Sequence, residues 1–295
     1  RLICADARPN LSAACQDNFD SVELTRADSE FYPEALRAIC EVHEIGLIVP
    51  TIDTELSVLA GLRDSFSKAG TSIAVSSPNL VEIARDKRKT AEYFATLGVK
   101  SPTLFARNAP KYPVIAKPFD GSLSRDVHVL REVMDYNHQI RSIPNLMLAE
   151  YLDPNEHDEF TCDAYFDREE KLRCIVPRLR LEVRGGEVSK ARTVRNNVVD
   201  LFLTNLDYLP GARGCLTFQF FRNRSTSELY LIELNARFGG GFPLTLAAGA
   251  DYPNWLYSEW VLDGSPPMHH NWASGLTMLR YDGEILIGSK EQTDG

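Results

Sequence analysis

Apolar positions along the chain follow two rhythms. Up to about residue 77, short apolar runs alternate with segments whose apolar residues recur every three or four positions. "LICAD", "SVELT", "IGLIVP" and "TSIAVS" read as strands. "YPEALRAICEVHE" reads as a helix with Ala35, Ile39 and Val42 on one stripe, and the segment led by Asp53 as a helix stopped by Gly70. Such alternation predicts a parallel sheet with helices on its faces over residues 1–77. Because "RLICAD" already reads as a strand and lacks an initial Met, a further segment is expected before Arg1.

From Pro78 the pattern changes. A basic helix, "EIARDKRKTAEYFATLG", runs to Gly98. Strand "YPVIAKPF", loop "DGSLSRD", strand "VHVL", a helix from Arg131 and strand "NLMLAEYLD" follow, a small subdomain over about 101–150. Beyond it, "EFTCDAYFD", "KLRCIVPRLRLEVRGGEV", "CLTFQFF" and "ELYLIELN" alternate in period two between turn signals, which predicts antiparallel hairpins. A helix over "PLTLAAGADYPNWLYSEWVLDG" closes a second domain, 78–295.

Composition narrows the function classes. With 44% apolar residues in 295 the chain suits a globular fold, and a net charge of −9 argues against a nucleic-acid surface. No apolar run reaches bilayer length, so no membrane partner is expected. The six scattered cysteines form no CxxC pair, which reads as reduced thiols in a cytoplasmic protein.

The chemistry sits where charges interrupt strands. In "YLIELNARFGGGF" the side chains of Glu233, Asn235 and Arg237 point one way, and Ile232, Leu234 and Ala236 the other. A hairpin turn near Thr226 sets Gln219 opposite Glu233. Oxygen ligands from Gln219, Glu233 and Asn235 suit a hard cation that shares its shell with phosphates. A hydrogen-bonded network closed by an Arg237–Glu233 pair fits the same pattern. Lys117 leaves an apolar strand beside a Gly-Ser turn, as a phosphate contact does and as many surface lysines do. Glu150 and Glu159 suit nucleoside hydroxyl or amino groups, or plain solvation. Arg178, Arg180, Arg184, Lys190, Arg192 and Arg195 mark either a pocket for an anion or a solvated hairpin face. Gly239 to Gly241 let the backbone approach a ligand at a helix start, or simply make a turn.

The order of these motifs is more specific than any one. Lys87 on a helix, Lys117 with its Gly-Ser loop, "AEYL", Glu159, then Gln219 and Glu233-x-Asn235-x-Arg237 resemble the ATP-grasp superfamily, above all its carbamoyl-phosphate synthase large-subunit-like branch. The resemblance implies an α/β N-terminal parallel-sheet domain, Rossmann-like, followed by an α+β ATP-grasp fold with a lid subdomain. It implies ATP and Mg²⁺ (or Mn²⁺) as cofactors, with Lys87 and Lys117 on the phosphates and Lys117 also catalytic. Glu150 would lie at the adenine amino group, the backbone of Tyr151 and Leu152 along the ring, and Glu159 at the ribose. Gln219, Glu233 and Asn235 would hold the metal, Arg237 the transferred phosphoryl group, and the loop 121–126, with Ser122 and Ser124, would close over the phosphates. Arg180, Arg192 and Gly240 are assigned to the substrate, and Glu233 is expected to be neutralised by the metal and Arg237. The implied activity joins a small carboxylate to an amine or ammonia through an acyl phosphate, in a protein with homodimerisation as family habit. The alternative is an ATP-binding regulatory or partner subunit. Two departures bear on it: Asp126 stands where many relatives have Gly, and one grasp unit stands where a complete carbamoyl-phosphate synthase large subunit has two.

Overall fold

The computed structural model describes residues 1–16, 19–121 and 126–287. Two compact units divide the chain, one formed by residues 1–46 with the segment from Arg280 onward, the other by residues 47–279.

In the first unit, β1 (Ile3–Asp6) and β2 (Asp20–Glu23) pair in parallel, with α1 (Ala13–Gln16) between them and α2 (Tyr32–His43) after. The helix expected over 32–44 is present, but its buried face differs from the predicted stripe. Tyr32, Leu36 and Cys40 are buried, and Val42 is 75% exposed. Both sets share helical spacing, and the one led by Tyr32 and Leu36 removes more apolar area from water than one led by Ala35.

The second unit opens with β3 (Leu47–Ile48) and β4 (Ser72–Ile73), again parallel, joined by α3 (Asp53–Lys68). α4 (Pro78–Arg85) follows, its start capped by Ser77, whose Oγ accepts from the Leu80 amide. The single basic helix predicted here is two. Asp86 leaves helical geometry, its carboxylate accepts from the Arg88 amide, and α5 (Lys87–Thr96) begins afresh. Asp is among the best N-caps, so a restart satisfies amides that a helix end leaves free. The break puts Lys87 at the first position of α5.

A four-stranded antiparallel sheet forms the small subdomain: β5 (Leu104–Phe105), β6 (Val114–Pro118), β7 (His128–Leu130) and β8 (Leu146–Glu150), in the order β5-β8-β6-β7. With α6 (His138–Arg141) it has its own core of Val114, Ala116, Leu130, Tyr136, Ile140, Leu146 and Leu148.

The large sheet is antiparallel throughout: β9 (His157–Phe166), β10 (Leu172–Arg184), β11 (Glu187–Thr193), β12 (Gly214–Asn223), β13 (Leu229–Asn235) and β14 (Thr277–Leu279), in the order β13-β12-β9-β10-β11-β14. The predicted Gly185–Gly186 turn joins β10 to β11 with both φ positive, as a two-residue hairpin loop requires. Phe160, Cys162, Ala164, Phe218, Phe220 and Leu234 belong to the apolar core, which includes Phe94 of α5 and Phe202 of α7 (Asn197–Asn205). Phe218 meets Phe94 and Phe202 edge-on at 5.8 and 4.9 Å. The alternate residues, Glu159, Asp163, Arg178, Arg180, Thr217, Gln219, Glu233 and Asn235, make the other face polar. α8 (Phe242–Ala247) and α9 (Tyr252–Val261), predicted as one helix, part at Gly249 with φ +101°. Among the described residues no helix is long and apolar enough to cross a membrane.

One detail of β13 departs from strict alternation. Gln219 pairs with Glu233, but Phe220 pairs with Leu231, which leaves Ile232 as an extra residue. Leu231, not Ile232, enters the core, 2% exposed. A bulge of this kind lets Leu231 and Leu234 bury together while Glu233 keeps its place on the polar face.

Candidate active site

The polar face gathers side chains from five elements. Gln219 of β12 lies directly opposite Glu233 of β13, the expected partner, through the bulge at Ile232 rather than the turn alone, which sets their Cβ atoms about 5 Å apart. Asn235 Nδ2 donates to Glu233 Oε1 at 2.8 Å, and Lys87 Nζ approaches the other carboxylate oxygen at 3.4 Å. Lys87 Nζ also donates to the Gly121 carbonyl at 2.6 Å, and its amide to the Phe119 carbonyl at 3.0 Å. These bonds fasten the start of α5 to the end of β6 and the turn beyond it. On β9, Glu159 accepts from Gln219 Nε2 and, at 2.6 Å, from Arg180.

Two charges show how tightly the cluster is wound. Burial drives the Lys117 ammonium down to about 8, and repulsion from Lys87 adds to this while Glu233 and Glu159 oppose it. Burial raises the Glu233 carboxyl, yet Lys87, the Asn235 hydrogen bond and Lys117 together hold it below the usual carboxylate range. Glu233 is therefore ionised at neutral pH beside two lysines. Six side chains thus share one region: Lys87, Lys117, Glu159, Gln219, Glu233 and Asn235.

The donor set has a definite chemical character. Among the described residues no three His, Cys, Asp or Glu side chains gather as a metal cage. Two carboxylates and two side-chain amides fit a small hard cation that draws the rest of its shell from phosphate and water. Both amides turn their N–H groups to carboxylates here, and a half-turn of each would present oxygen instead. The adjacent lysines supply the positive charge a polyphosphate needs.

Other expected site residues fall into place unevenly. Glu150 ends β8, and its carboxylate accepts from the amide and hydroxyl of Thr103, both at 3.0 Å. Tyr151 and Leu152 follow, with Leu152 buried. Ser122 and Ser124 lie outside the described residues. Asp126 has φ +52°, a left-handed conformation that Gly adopts freely and Asp tolerates. Arg237 does not meet Glu233. Its guanidinium grips Asp53 at the start of α3 through two bonds of 3.1 and 2.7 Å, and donates to the Phe238 carbonyl at 3.0 Å. The charge partner of Glu233 is thus Lys87, because α5 restarts at Asp86. Arg180 and Arg192 are not brought together. Arg192 is paired across with Leu179 and Arg180 with Ala191, so they project from opposite faces; Arg192 is exposed and bonds Thr277. Gly240 is exposed at the turn between Gly239 and Gly241.

A fully buried ion pair lies beneath this turn, one that the strand patterns did not single out. Asp163 and Arg178 are each 0% exposed and share two bonds of 2.9 Å. Thr217 and Thr245 donate to the Asp163 carboxylate at 3.1 and 2.6 Å, and Tyr252 donates to its backbone carbonyl at 2.9 Å. Polar satisfaction on this scale offsets part of the desolvation cost of two buried charges. The sequence signal for it is a single acid in "FTCDAYF" and a single base in "CIVPRL", each inside an apolar strand. All six cysteines are free thiols, five of them buried.

Comparison with known proteins agrees with this architecture. Residues 142–282 match the family model "ATP-grasp in the biosynthetic pathway with Ter operon", and residues 1–74 match "PylC-like, N-terminal domain". A carbamoyl-phosphate synthase of Methanobrevibacter smithii is 23% identical over 261 residues, 80% of this chain and 70% of that protein. The biotin carboxylase domain of the Hydrogenobacter thermophilus 2-oxoglutarate carboxylase, solved with MgADP, ADP and bicarbonate, superposes with a TM-score of 0.70 at 14% identity, covering 93% of this chain and 67% of that one. Rhizobium etli pyruvate carboxylase T882A, solved with acetyl coenzyme A, gives a TM-score of 0.63 at 14% identity over 83% of this chain. This chain spans only 24% of that carboxylase's length. At such identities the structural likeness establishes the fold.

Proposed function

For a chain that carries an ATP-grasp domain behind a PylC-like N-terminal domain, we propose an ATP- and Mg²⁺-dependent ligase that joins a carboxylate to an amine or ammonia. The observation that carries this reading is the convergence of Lys87 and Lys117 with Glu159, Gln219, Glu233 and Asn235 on one sheet face.

Each residue has a role its position suits. Lys87 and Lys117 bind the phosphates; Lys87 sits where a helix begins, and its bond to Gly121 links it to the first residue of the phosphate loop. Gln219, Glu233 and Asn235 hold the cation, with Glu159 near enough to share it or to take a ribose hydroxyl. Mg²⁺ held by these residues would supply charge neutralisation to the phosphates. A substrate carboxylate oxygen then attacks the γ-phosphorus and ADP leaves. The amine adds to the resulting acyl phosphate and inorganic phosphate departs. The chain's own contribution is positioning and charge balance, since phosphoryl transfer needs little covalent help. Glu150, Tyr151 and Leu152 suit the adenine, at the junction of the two sheets, and Arg237 the transferred phosphoryl group.

The test is phosphate release from ATP across amino acids and small carboxylates, alone and with amines. Glu233→Gln should lower acid-dependent release about a hundredfold or more in a chain that still folds, with a lowered melting temperature because Lys87 and Lys117 lose their shared charge partner. Equal turnover in that variant would remove Glu233 from the metal set. The second reading, an ATP-binding partner subunit, is motivated by Asp126 where many relatives have Gly and by the single grasp unit. ATP·Mg²⁺ binding without phosphate release from any mixture would select it.

A further inference from the structure

Arg237 is the one basic side chain assigned to the transferred phosphoryl group, and its anion-binding edge is already occupied. Asp53 takes Nε and Nη2 together, at 3.1 and 2.7 Å, the side-by-side geometry in which a guanidinium grips a carboxylate or a phosphate. Asp53 belongs to the first turn of α3, 184 residues away in sequence. It is not the cap of that helix: Ile52 is, and Glu55 serves the amides of Thr51 and Ile52. The Asp53 carboxylate is thus free of helix-capping duty. Its side chain is 41% exposed and that of Arg237 21%, in contrast with the sealed Asp163–Arg178 pair of the large sheet. An ion pair so close to solvent can exchange partners without opening the core. The remaining nitrogen, Nη1, is held by the Phe238 carbonyl at 3.0 Å, so the guanidinium keeps a tether when Asp53 lets go.

We propose that Asp53 is a latch on Arg237, a built-in anion that the terminal phosphate of ATP must displace. The proposal rests on the nucleotide reading above. It makes Asp53 a positioning residue that aims the guanidinium before the ligand arrives and competes with that ligand when it does.

Competition has a measurable sign. An ion pair this exposed contributes up to about 1 kcal/mol, so removing the competitor should tighten binding about two- to fivefold. The experiment is calorimetric titration of ATP·Mg²⁺ and ADP·Mg²⁺ into wild type, Asp53→Ala, Arg237→Gln and the double variant. Asp53→Ala should bind ATP·Mg²⁺ more tightly and leave ADP·Mg²⁺ nearly unchanged, because only ATP brings the terminal phosphate. In the Arg237→Gln background, Asp53→Ala should have no effect. Should Asp53→Ala fold poorly, Asp53→Asn removes the charge, keeps the shape and should shift affinity in the same direction. The latch is overturned if the folded variant binds ATP·Mg²⁺ no more tightly than wild type. Equal tightening for ADP, or tightening that persists without Arg237, also overturns it, since either marks a general charge effect. A wild type that binds no ATP overturns the nucleotide reading and the latch together, whereas normal ATP binding with no Asp53 effect overturns the latch alone.

Discussion

Gly241 offers a test of the site's foundation that needs no ligand. Its φ of −93° lies in a region open to any L-residue, so an alanine there would carry no backbone penalty. The obstacle is space. A Cβ would lie 2.0 Å from Arg178 Nη1 and 2.9 Å from Val188 Cγ1, about 1.4 Å inside ordinary contact with the nitrogen. Arg178 has nowhere to retreat: it is fully buried, and two 2.9 Å bonds hold it to an Asp163 that Thr217 and Thr245 also grip. A displacement of that size breaks at least one of the paired bonds and strands charge out of water. Uncoupling a buried ion pair costs about 3–5 kcal/mol, and overpacking adds about 1–3 kcal/mol. Gly241→Ala should therefore lose about 3 kcal/mol or more, against a total stability of about 5–15 kcal/mol for a typical domain. Urea unfolding followed by the fluorescence of Trp255, Trp260 and Trp272 measures it. A variant within about 1 kcal/mol of wild type at equal m-value would refute the argument that the turn rests on this ion pair.

Two further outcomes follow from other corners of the structure. Lys117 holds its proton less tightly in the folded chain, at about 8 against an ordinary 10.5, so between those values the unfolded chain carries more protons. Stability relative to Lys117→Met should rise as pH climbs from about 8 toward 10.5 and stay level below 8, where both forms are protonated; a flat difference across that window in chemical denaturation would show that the ammonium is not desolvated. A methyl group added at Gly61, inside α3, would meet nothing within 4 Å, so Gly61→Ala should add about 1 kcal/mol in the same assay, and a loss would mean that α3 packs more closely there.

Much of the site was legible because its logic is local. Side chains in a strand alternate, so Glu233 and Asn235 had to share a face whatever surrounded them. Gln219 does lie opposite Glu233 as expected, but the pairs nearest the turn run one residue out of that register, and the bulge at Ile232 restores it. The glycine pair at 185–186 marked its turn for a local reason, since positive φ is a property of the residue. Local rules fail where two solutions satisfy the same period. α2 carries two apolar stripes at helical spacing, and area buried selects between them. The bulge at Ile232 keeps Glu233 in position while exchanging its neighbour in the core, a choice made by the sheet as a whole.

What the sequence alone determined, then, is the alternation of elements, the Gly185–Gly186 turn and the shared face of Glu233 and Asn235, because each follows from backbone geometry over a few residues. The tertiary structure decided which charges meet. Lys87 reaches Glu233 because Asp86 restarts a helix, Arg237 finds Asp53 from 184 positions away, and Asp163 meets Arg178 beneath a glycine turn. Electrostatic attraction depends on separation in space and on exclusion of water, and neither exists until the chain has packed.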